Sequence, residues 1–149
     1  MPKSFLDTNI LIYQMDNRDV VKQKKCRELV RALVLRHEAV ISTQILQEFY
    51  VACTAKLKVK PILVKGMIHG FQNMEVVTVG ADLINEAIDT SIQYQISFWD
   101  SLVVVSAESA KCQYLITEDL NEGQVIRNVK IQNPMNSNGS SGIHVDAKA

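Results

Sequence analysis

The sequence predicts an α/β fold, in which a central parallel sheet of four or five strands is covered by helices on both faces. Short apolar and β-branched segments alternate along the chain with longer segments whose apolar residues recur at helical spacing. Strands that alternate with helices in this way form parallel sheets, because each crossover carries the chain back to the edge where the previous strand began. Right-handed crossovers then leave only a few strand orders.

In the first part of the chain, Lys3 to Asp7 is an apolar run without alternation, which suits a buried strand. A short helix begins near Ile10, directly after residues that can cap it. From Val20 to about Leu35, apolar residues three and four positions apart predict a long helix. Ala39 to Ser42 is predicted to be a second strand.

The middle of the chain carries two more helices and a strand. The first helix has an apolar face that includes Leu46, Phe49 and Cys53. The second begins at Pro61, a favoured first helical residue, and runs to about Phe71. The β-branched segment of residues 75–79 is the third predicted strand.

After Gly80, a helix is predicted from a stripe of apolar residues, namely Ile84, Ala87, Ile88, Ile92 and Ile96. Trp99 to Ala110 is apolar on nearly every side, so we expect a central, buried helix. Tyr114 to Thr117 is the fourth predicted strand, and Val129 to Gln132 is a candidate fifth before Pro134.

Composition indicates one soluble domain with a flexible tail. The chain has 149 residues, of which 47% are hydrophobic and 21% charged. It shows no segment long enough to span a bilayer and no signal-peptide pattern, so we expect a cytoplasmic protein. Residues 135–149 are rich in Asn, Ser and Gly, which predicts a folded domain over residues 1–134 followed by a flexible tail.

The formal net charge is zero, from 16 basic and 16 acidic residues. Two basic groups, around residues 22–31 and 56–65, either follow a phosphate backbone or form solvated helix faces. The three cysteines lack the spacing of a metal site, so we expect buried, reduced thiols. The histidines are not spaced to act with the acids, which argues against a zinc site or a histidine-based nuclease; they are His37, His69 and His144.

Four acids stand where a parallel sheet gathers side chains, and they are Asp7, Glu48, Asp100 and Asp119. Asp7 and Asp119 follow predicted strands, and ligands bind at the carboxyl ends of such strands near a switch in strand order. Because like charges raise one another's pKa values, such a cluster is favourable only around a cation. Oxygen ligands alone point to Mg²⁺ or Mn²⁺. This predicts a metal-dependent phosphodiesterase.

Each acid also has a structural interpretation. Asp7 can cap the helix that follows it, and Asp100 can belong to a capping box that begins at Ser97. Glu48 can be a surface residue of its helix, and Asp119 can belong to a turn. Taken together, these interpretations require a separate coincidence for each acid, so we favour a shared site.

With these residues in view, the chain resembles the PIN-domain nucleases, and among them the VapC-type toxins of prokaryotic toxin–antitoxin pairs. The resemblance covers residues 3 to about 134. Each motif alone is weak, but all occur in order and carry the expected acid. The matching segments are Phe5 to Tyr13, Ile45 to Phe49, Trp99 to Leu102, and Leu115 to Leu120.

The resemblance implies an endoribonuclease that depends on Mg²⁺ or Mn²⁺, leaves a 5′-phosphate, is often dimeric and is held inactive by a cognate antitoxin. Asp7 and Asp100 would be the principal metal ligands, while Glu48 and Asp119 would bind directly or through water. Short polar neighbours would orient these carboxylates through hydrogen bonds; they are Thr8, Asn9, Ser101 and Thr117. We expect the antitoxin in a groove formed by the helices of residues 20–36 and 43–71.

Two other functions remain open. The chain can be a PIN nuclease of RNA processing that has no antitoxin, or a noncatalytic binding module that keeps the fold. The sequence does not name the RNA. Tyr13, Tyr50 and Trp99 are aromatic candidates for stacking on bases, although we expect Trp99 to pack in the core.

Overall fold

The computed structural model describes residues 2–135 and has the predicted α/β architecture. The predicted tail lies outside the described residues apart from Met135. The elements in chain order are β1 (Ser4–Leu6), α1 (Thr8–Tyr13), α2 (Val20–Leu35), β2 (Ala39–Ser42), α3 (Thr43–Ala55), α4 (Pro61–Phe71), β3 (Glu75–Val77), α5 (Ala81–Tyr94), α6 (Phe98–Ser109), β4 (Tyr114–Ile116), β5 (Val125–Ile126) and β6 (Val129–Gln132).

The strands form one six-stranded sheet in the order β3-β2-β1-β4-β6-β5. All neighbours pair in parallel except β5 and β6, which are antiparallel. The fold class is therefore confirmed, and the candidate strand at residues 129–132 is present. The predicted count of four or five strands is wrong, because β5 adds a sixth.

Strand β5 was not predicted because the two-residue turn that follows it lacks the usual sequence signal of a hairpin. Arg127 and Asn128 connect β5 to β6, and both have positive φ angles, 51° and 67°. A type I′ hairpin turn requires positive φ at both positions, and the usual sequence signal is Asn-Gly or Asp-Gly. Arg-Asn lacks that signal. The Arg127 guanidinium instead fixes the hairpin by donating to Glu108, 2.7 Å away, and to Thr90 and Glu86.

The helices fall into two groups that the strand order separates. Helix α1 contacts α2 and α3, and α3 contacts α4, whereas α5 packs along α6. The chain runs outward from β1 to β3 and then crosses back to β4 on the other side of β1. Since crossovers are right-handed, this reversal places the two groups on opposite faces of the sheet. The strand order reverses between β1 and β4.

The core lies on both sides of the central strands. Phe5, Leu6 and Ile116 are fully buried, and residues 101–107 of α6 are all buried, which confirms the central helix predicted there. The cysteines at positions 26, 53 and 112 are buried and unpaired, as predicted. Within residues 2–135, no helix is long and apolar enough to cross a membrane.

The apolar stripe predicted on α5 is only partly buried. Ala87 is buried against α6, whereas the isoleucines at 84, 88 and 92 are between 41% and 71% exposed. Helix α5 is therefore confirmed, while three isoleucines of its apolar stripe are exposed.

The β5–β6 turn gives a test of the fold. Asn128→Val should lower the free energy of unfolding by about 1–2 kcal/mol, because a β-branched residue is strained at positive φ. Asn128→Gly should stay close to wild type, since glycine adopts this conformation freely. Urea denaturation of both variants measures the difference. Equal destabilisation by valine and glycine would contradict the turn geometry.

Candidate active site

The reversal of strand order brings the ends of β1 and β4 together. Asp7 directly follows β1, and Thr117 directly follows β4. The backbone N–H of Asp7 donates to the carbonyl oxygen of Ile116 at 3.1 Å, so the two strand ends lie side by side. Open parallel sheets bind ligands at such a point. The predicted placement of Asp7 at a carboxyl edge is therefore what the structure shows.

Asp7 is 6% exposed, and its carboxylate is held on both sides. Oδ1 accepts from the backbone N–H of Thr8 at 2.8 Å, which caps α1. Oδ2 accepts from the hydroxyl of Thr117 at 2.7 Å. The cap that the sequence suggested is thus real, but it uses only one oxygen, and a carboxylate oxygen has a second lone pair for a metal ion.

The electrostatics of Asp7 favour a cation. The pKa of Asp7 is raised from 3.8 to about 7, mainly by burial and in smaller part by the negative charges of Asp119 and Glu48. The hydrogen bonds from Thr117 and Thr8 oppose this rise, because they stabilise the ionised form. A carboxylate that is buried beside two others is unfavourable as an anion, and a divalent cation would remove that penalty.

Thr8 connects Asp7 to Glu48. While its N–H donates to Asp7, its hydroxyl donates to Oε1 of Glu48 at 2.6 Å. The side-chain amide of Gln44 donates to the other oxygen of Glu48 at 3.1 Å. Glu48 is therefore a half-buried, oriented carboxylate, which differs from the solvated helix residue considered as its structural alternative.

Asp100 and Asp119 complete the set of acids. Burial raises the pKa of Asp100, and the charges of Asp119 and Glu48 add to the rise, although a hydrogen bond with Ser97 opposes it. The N–H of Asp100 also donates to the Ser97 hydroxyl at 3.0 Å, so the predicted helix cap is present. Asp119 is exposed, and its N–H donates to Thr117 Oγ1 at 3.0 Å. The negative charges of Asp119 and Glu48 thus act on both Asp7 and Asp100.

The polar neighbours behave differently from one another. Thr8 and Thr117 bond directly to the carboxylates of Glu48 and Asp7. Asn9 is half-buried beside them. The hydroxyl of Ser101 donates to the carbonyl oxygen of Ser97 inside α6, so it orients the helix turn and not an acid.

Gln44 is a site residue that the sequence analysis missed. It is buried, and its amide nitrogen donates both to Glu48 and to the backbone carbonyl of Trp99, 3.3 Å away. It thereby joins α3 to the residue before Asp100. Its Oε1 is buried without a hydrogen-bond partner in the described part of the chain. The signal that was available is its spacing of four residues before Glu48, which places both side chains on one helix face.

Glu118 contributes to the site only by anchoring its loop. Its carboxylate accepts a hydrogen bond from the hydroxyl of Tyr13 and pairs with Lys22 at 3.3 Å. These contacts fix the segment that carries Asp119 against α1 and α2. The ion pair with Glu118 also neutralises the charge of Lys22, so this member of the basic group on α2 already has a partner within the fold.

The donor set fits a small hard cation without enclosing one. Within residues 2–135, no three Asp, Glu, His or Cys side chains converge closely enough to form a ready cage for a metal ion. Mg²⁺ needs no such cage, because it keeps several waters and takes only one or two carboxylates directly. Asp7 and Asp100, the predicted principal ligands, have the carboxylate oxygens that such an ion prefers, and the negative charges of Glu48 and Asp119 act on both of them.

A groove of about 740 Å³ leads away from Glu48 between α1 and α3. Its end at the site is polar and includes Thr8, Asn9, Gln44, Gln47 and Glu48. Its walls then become apolar, with Ile12, Val51, Ala52, Ala55 and Leu57. From Glu48 to Ala55, α3 extends about 10 Å along the groove. No residue of α2 lines it, so the groove predicted between the helices of residues 20–36 and 43–71 is only partly right.

Trp99 also lines this groove at its polar end. The residue is 61% exposed, so the expectation that it packs in the core is wrong.

Comparison with known proteins identifies a family. A family model described as the PIN domain matches residues 4–126, which is most of the chain. A search of curated proteins finds no match.

Solved structures with the same fold include toxin–antitoxin proteins. A toxin–antitoxin complex from Klebsiella pneumoniae matches with a TM-score of 0.65 and 16% identity, covering 85% of this chain and 95% of that one. VapBC from Salmonella typhimurium, bound to DNA, has a TM-score of 0.65 and 20% identity, covering 89% and 98%. VapC20 from Mycobacterium tuberculosis, described as a toxin that cleaves the sarcin–ricin loop, has a TM-score of 0.62 and 16% identity, covering 76% and 87%.

The raised pKa of Asp7 predicts how stability depends on pH in EDTA. Between its ordinary value of 3.8 and about 7, the native state binds more protons than the unfolded state, so the contribution of Asp7 to stability falls as pH rises. Asp7→Asn carries no such charge. The melting temperature of the variant relative to wild type should therefore increase from pH 4 to pH 7–8, where it should equal or exceed wild type.

Thermal unfolding followed by circular dichroism across this range measures the effect. Mg²⁺ at neutral pH should then stabilise wild type more than the variant, because a ligand that binds the native state shifts unfolding by mass action. Parallel curves of melting temperature against pH would show that Asp7 is not a repelled, buried carboxylate.

Proposed function

Because the chain belongs to the PIN domain family, we propose that it is a divalent-metal-dependent endoribonuclease and the toxin of a toxin–antitoxin pair. The observation that carries this proposal is the buried Asp7 carboxylate, whose pKa is raised by burial and by the neighbouring charges of Asp119 and Glu48. A site of this kind is stabilised by a divalent cation, and phosphodiester hydrolysis is the reaction that such a cation assists.

The contacts of these residues support a proposed role for each. Asp7 and Asp100 would hold Mg²⁺ or Mn²⁺, with Glu48 and Asp119 acting directly or through water. When bound, the ion supplies Lewis acidity toward the phosphate oxygens and offsets the charge that develops on them. Thr117 and Gln44 keep the carboxylates of Asp7 and Glu48 in fixed orientations through hydrogen bonds of 2.7 Å and 3.1 Å.

The acids themselves argue against a noncatalytic module. Acids that serve only the fold are usually paired with a base. The ion pairs within the described part of the chain involve other acids, namely Asp16, Glu75, Glu86, Glu108 and Glu118. Keeping like charges together without a base lowers stability, and this is expected of a functional site. We propose a cytoplasmic location, which is where an RNA substrate would be met.

Cleavage of single-stranded or looped RNA should require Mg²⁺ or Mn²⁺ and stop in excess EDTA. Asp7→Asn should abolish it, and Thr117→Val should lower the rate by about 10–100-fold, the usual effect of losing a bond that orients a metal ligand. Asp89→Asn is the matched control, because it removes the same charge from an exposed position on α5. Single-turnover assays on labelled RNA measure these rates. Undiminished cleavage in EDTA by protein free of contaminating nuclease would remove the metal mechanism.

The groove between α1 and α3 is where we propose that the antitoxin binds. Its apolar walls suit one face of an amphipathic helix, and its polar end leads to carboxylates that an arginine of the partner can reach. At the opposite end, Lys56 can pair with an acid of the partner. This partner also distinguishes a toxin from a nuclease of RNA processing.

Coexpression with the protein encoded by the adjacent gene should give a stable complex in which nuclease activity is suppressed. Val51→Glu should weaken the complex, because Val51 is 60% exposed on the groove wall. Leu35→Glu is the control, since Leu35 is equally apolar and 70% exposed but lies on α2. Size-exclusion chromatography with light scattering measures the assembly. Two well-expressed proteins that never associate would deprive the toxin proposal of its partner.

A homodimer is supported by the outer face of α5. Ile84, Ile88 and Ile92 are four residues apart and exposed. An antiparallel copy of α5 across a twofold axis would set Ile88 against itself and Ile84 of one copy against Ile92 of the other. Light scattering on the free protein tests this proposal, and the mass of a monomer would contradict it.

A further inference from the structure

Trp99 is the only tryptophan of the chain, and its exposure has no explanation in the packing of the fold. It lies in the first turn of α6, directly before Asp100, and it is 61% exposed. Large aromatic residues that remain exposed beside a functional site commonly contact a ligand.

The indole ring is held in place from one side. The indole packs edge to face against the ring of Phe98, with centroids 5.0 Å apart and an angle of 75° between the planes. Phe98 is itself packed against the small cluster of Ala87, Leu102 and Val105. The ring therefore packs against a fixed neighbour, so little conformational entropy is lost when a ligand binds.

The position of Trp99 is also fixed relative to the acids. Its backbone carbonyl accepts from the Gln44 amide at 3.3 Å, and the same amide donates to Glu48 at 3.1 Å. Because these bonds involve the backbone of Trp99, replacing its side chain leaves them intact.

The surroundings of the ring are suited to a nucleobase. Asn9 and Gln47 line the same end of the groove, and an amide side chain presents both a donor and an acceptor, as a base edge does. The apolar walls that suit a helical peptide begin farther along α3, at Val51. An aromatic face beside amides is the combination that binds unstacked bases.

We propose that Trp99 is a stacking platform for an unpaired base of the substrate, next to the phosphate held at the acids. The substrate would then be RNA in which this base is free to unstack, in a single strand or a loop. This inference rests on the proposed ribonuclease function and adds the substrate-binding role of Trp99 to it.

Tryptophan fluorescence tests the contact directly. The Asp7→Asn variant, in Mg²⁺, would be titrated with a short single-stranded oligoribonucleotide and with a strand of the same length whose bases are absent. Because Trp99 is the sole tryptophan, stacking should quench the emission with the base-containing strand and leave it nearly unchanged with the abasic one. Equal quenching by both strands, or none by either, would overturn the proposal.

Variants separate stacking from simple exposure. Trp99→Ala should weaken RNA binding and raise KM for cleavage by about 10-fold, the order expected for the loss of one stacked base, while kcat changes little. Trp99→Phe should restore most of the affinity. Tyr50→Ala is the control, because Tyr50 is a partly exposed aromatic residue in a different depression, with Ile62 and Ile68. Anisotropy of labelled RNA and steady-state cleavage measure both quantities.

The outcomes distinguish this inference from the proposed function. If wild type cleaves RNA with Mg²⁺ and Trp99→Ala keeps the same KM, the platform is refuted while the ribonuclease stands. If Trp99→Ala loses only the complex with the antitoxin, the indole belongs to the protein partner, which also refutes the platform. If wild type cleaves no RNA, the proposed function fails, and quenching by the base-containing strand alone would still establish the stacking contact.

Discussion

The site depends on the hydrogen bonds of the Thr117 hydroxyl. They join the carboxyl ends of β1 and β4, the two strands between which the strand order reverses. The hydroxyl donates to Asp7 after β1 and accepts from the N–H of Asp119 after β4. One short side chain therefore orients a buried carboxylate and the loop that carries a second. A hydrogen bond to the charged form partly offsets the burial of Asp7 but leaves its pKa near 7. The fold thus retains an electrostatic penalty that a bound cation can remove.

From Asp7, a continuous series of hydrogen bonds connects the carboxyl edge of the sheet to α1, α3 and α6. Thr8 connects Asp7 to Glu48, and Gln44 connects Glu48 to the backbone of Trp99. The acids come from distant parts of the sequence, and the carboxylates of Asp7 and Glu48 are oriented by the buried side chains of Thr117, Thr8 and Gln44. This rigidity matters for catalysis, since a site held by packed elements keeps its geometry better than one on free loops.

The sequence predicted the architecture and the position of Asp7 at a strand end because both depend on local patterns. Buried strands read as short apolar runs, and an acid directly after such a run must lie at the carboxyl edge, as Asp7 does. The features that were not predicted from the sequence are those that tertiary contacts determine. The Arg127–Asn128 turn owes its shape to hydrogen bonds with distant helices, and Trp99 lies in an apolar segment of the sequence although its side chain is exposed. The side chain of Gln44 is neither acidic nor basic, so its role comes only from its hydrogen-bond partners.

Glu48 belongs both to the groove and to the cluster of acids, which constrains how the proposed antitoxin would inhibit the proposed nuclease. Glu48 and Trp99 line the polar end of the groove, so a segment that fills it covers the place where a base and its phosphate would lie. Inhibition then requires no distortion of the carboxylates, only occupancy of the space beside them. An arginine that reached the acids would add a positive charge where the cation binds and would relieve the same repulsion. RNA and antitoxin would therefore compete for one surface, and the charge that favours the cation would also favour its replacement by the inhibitor.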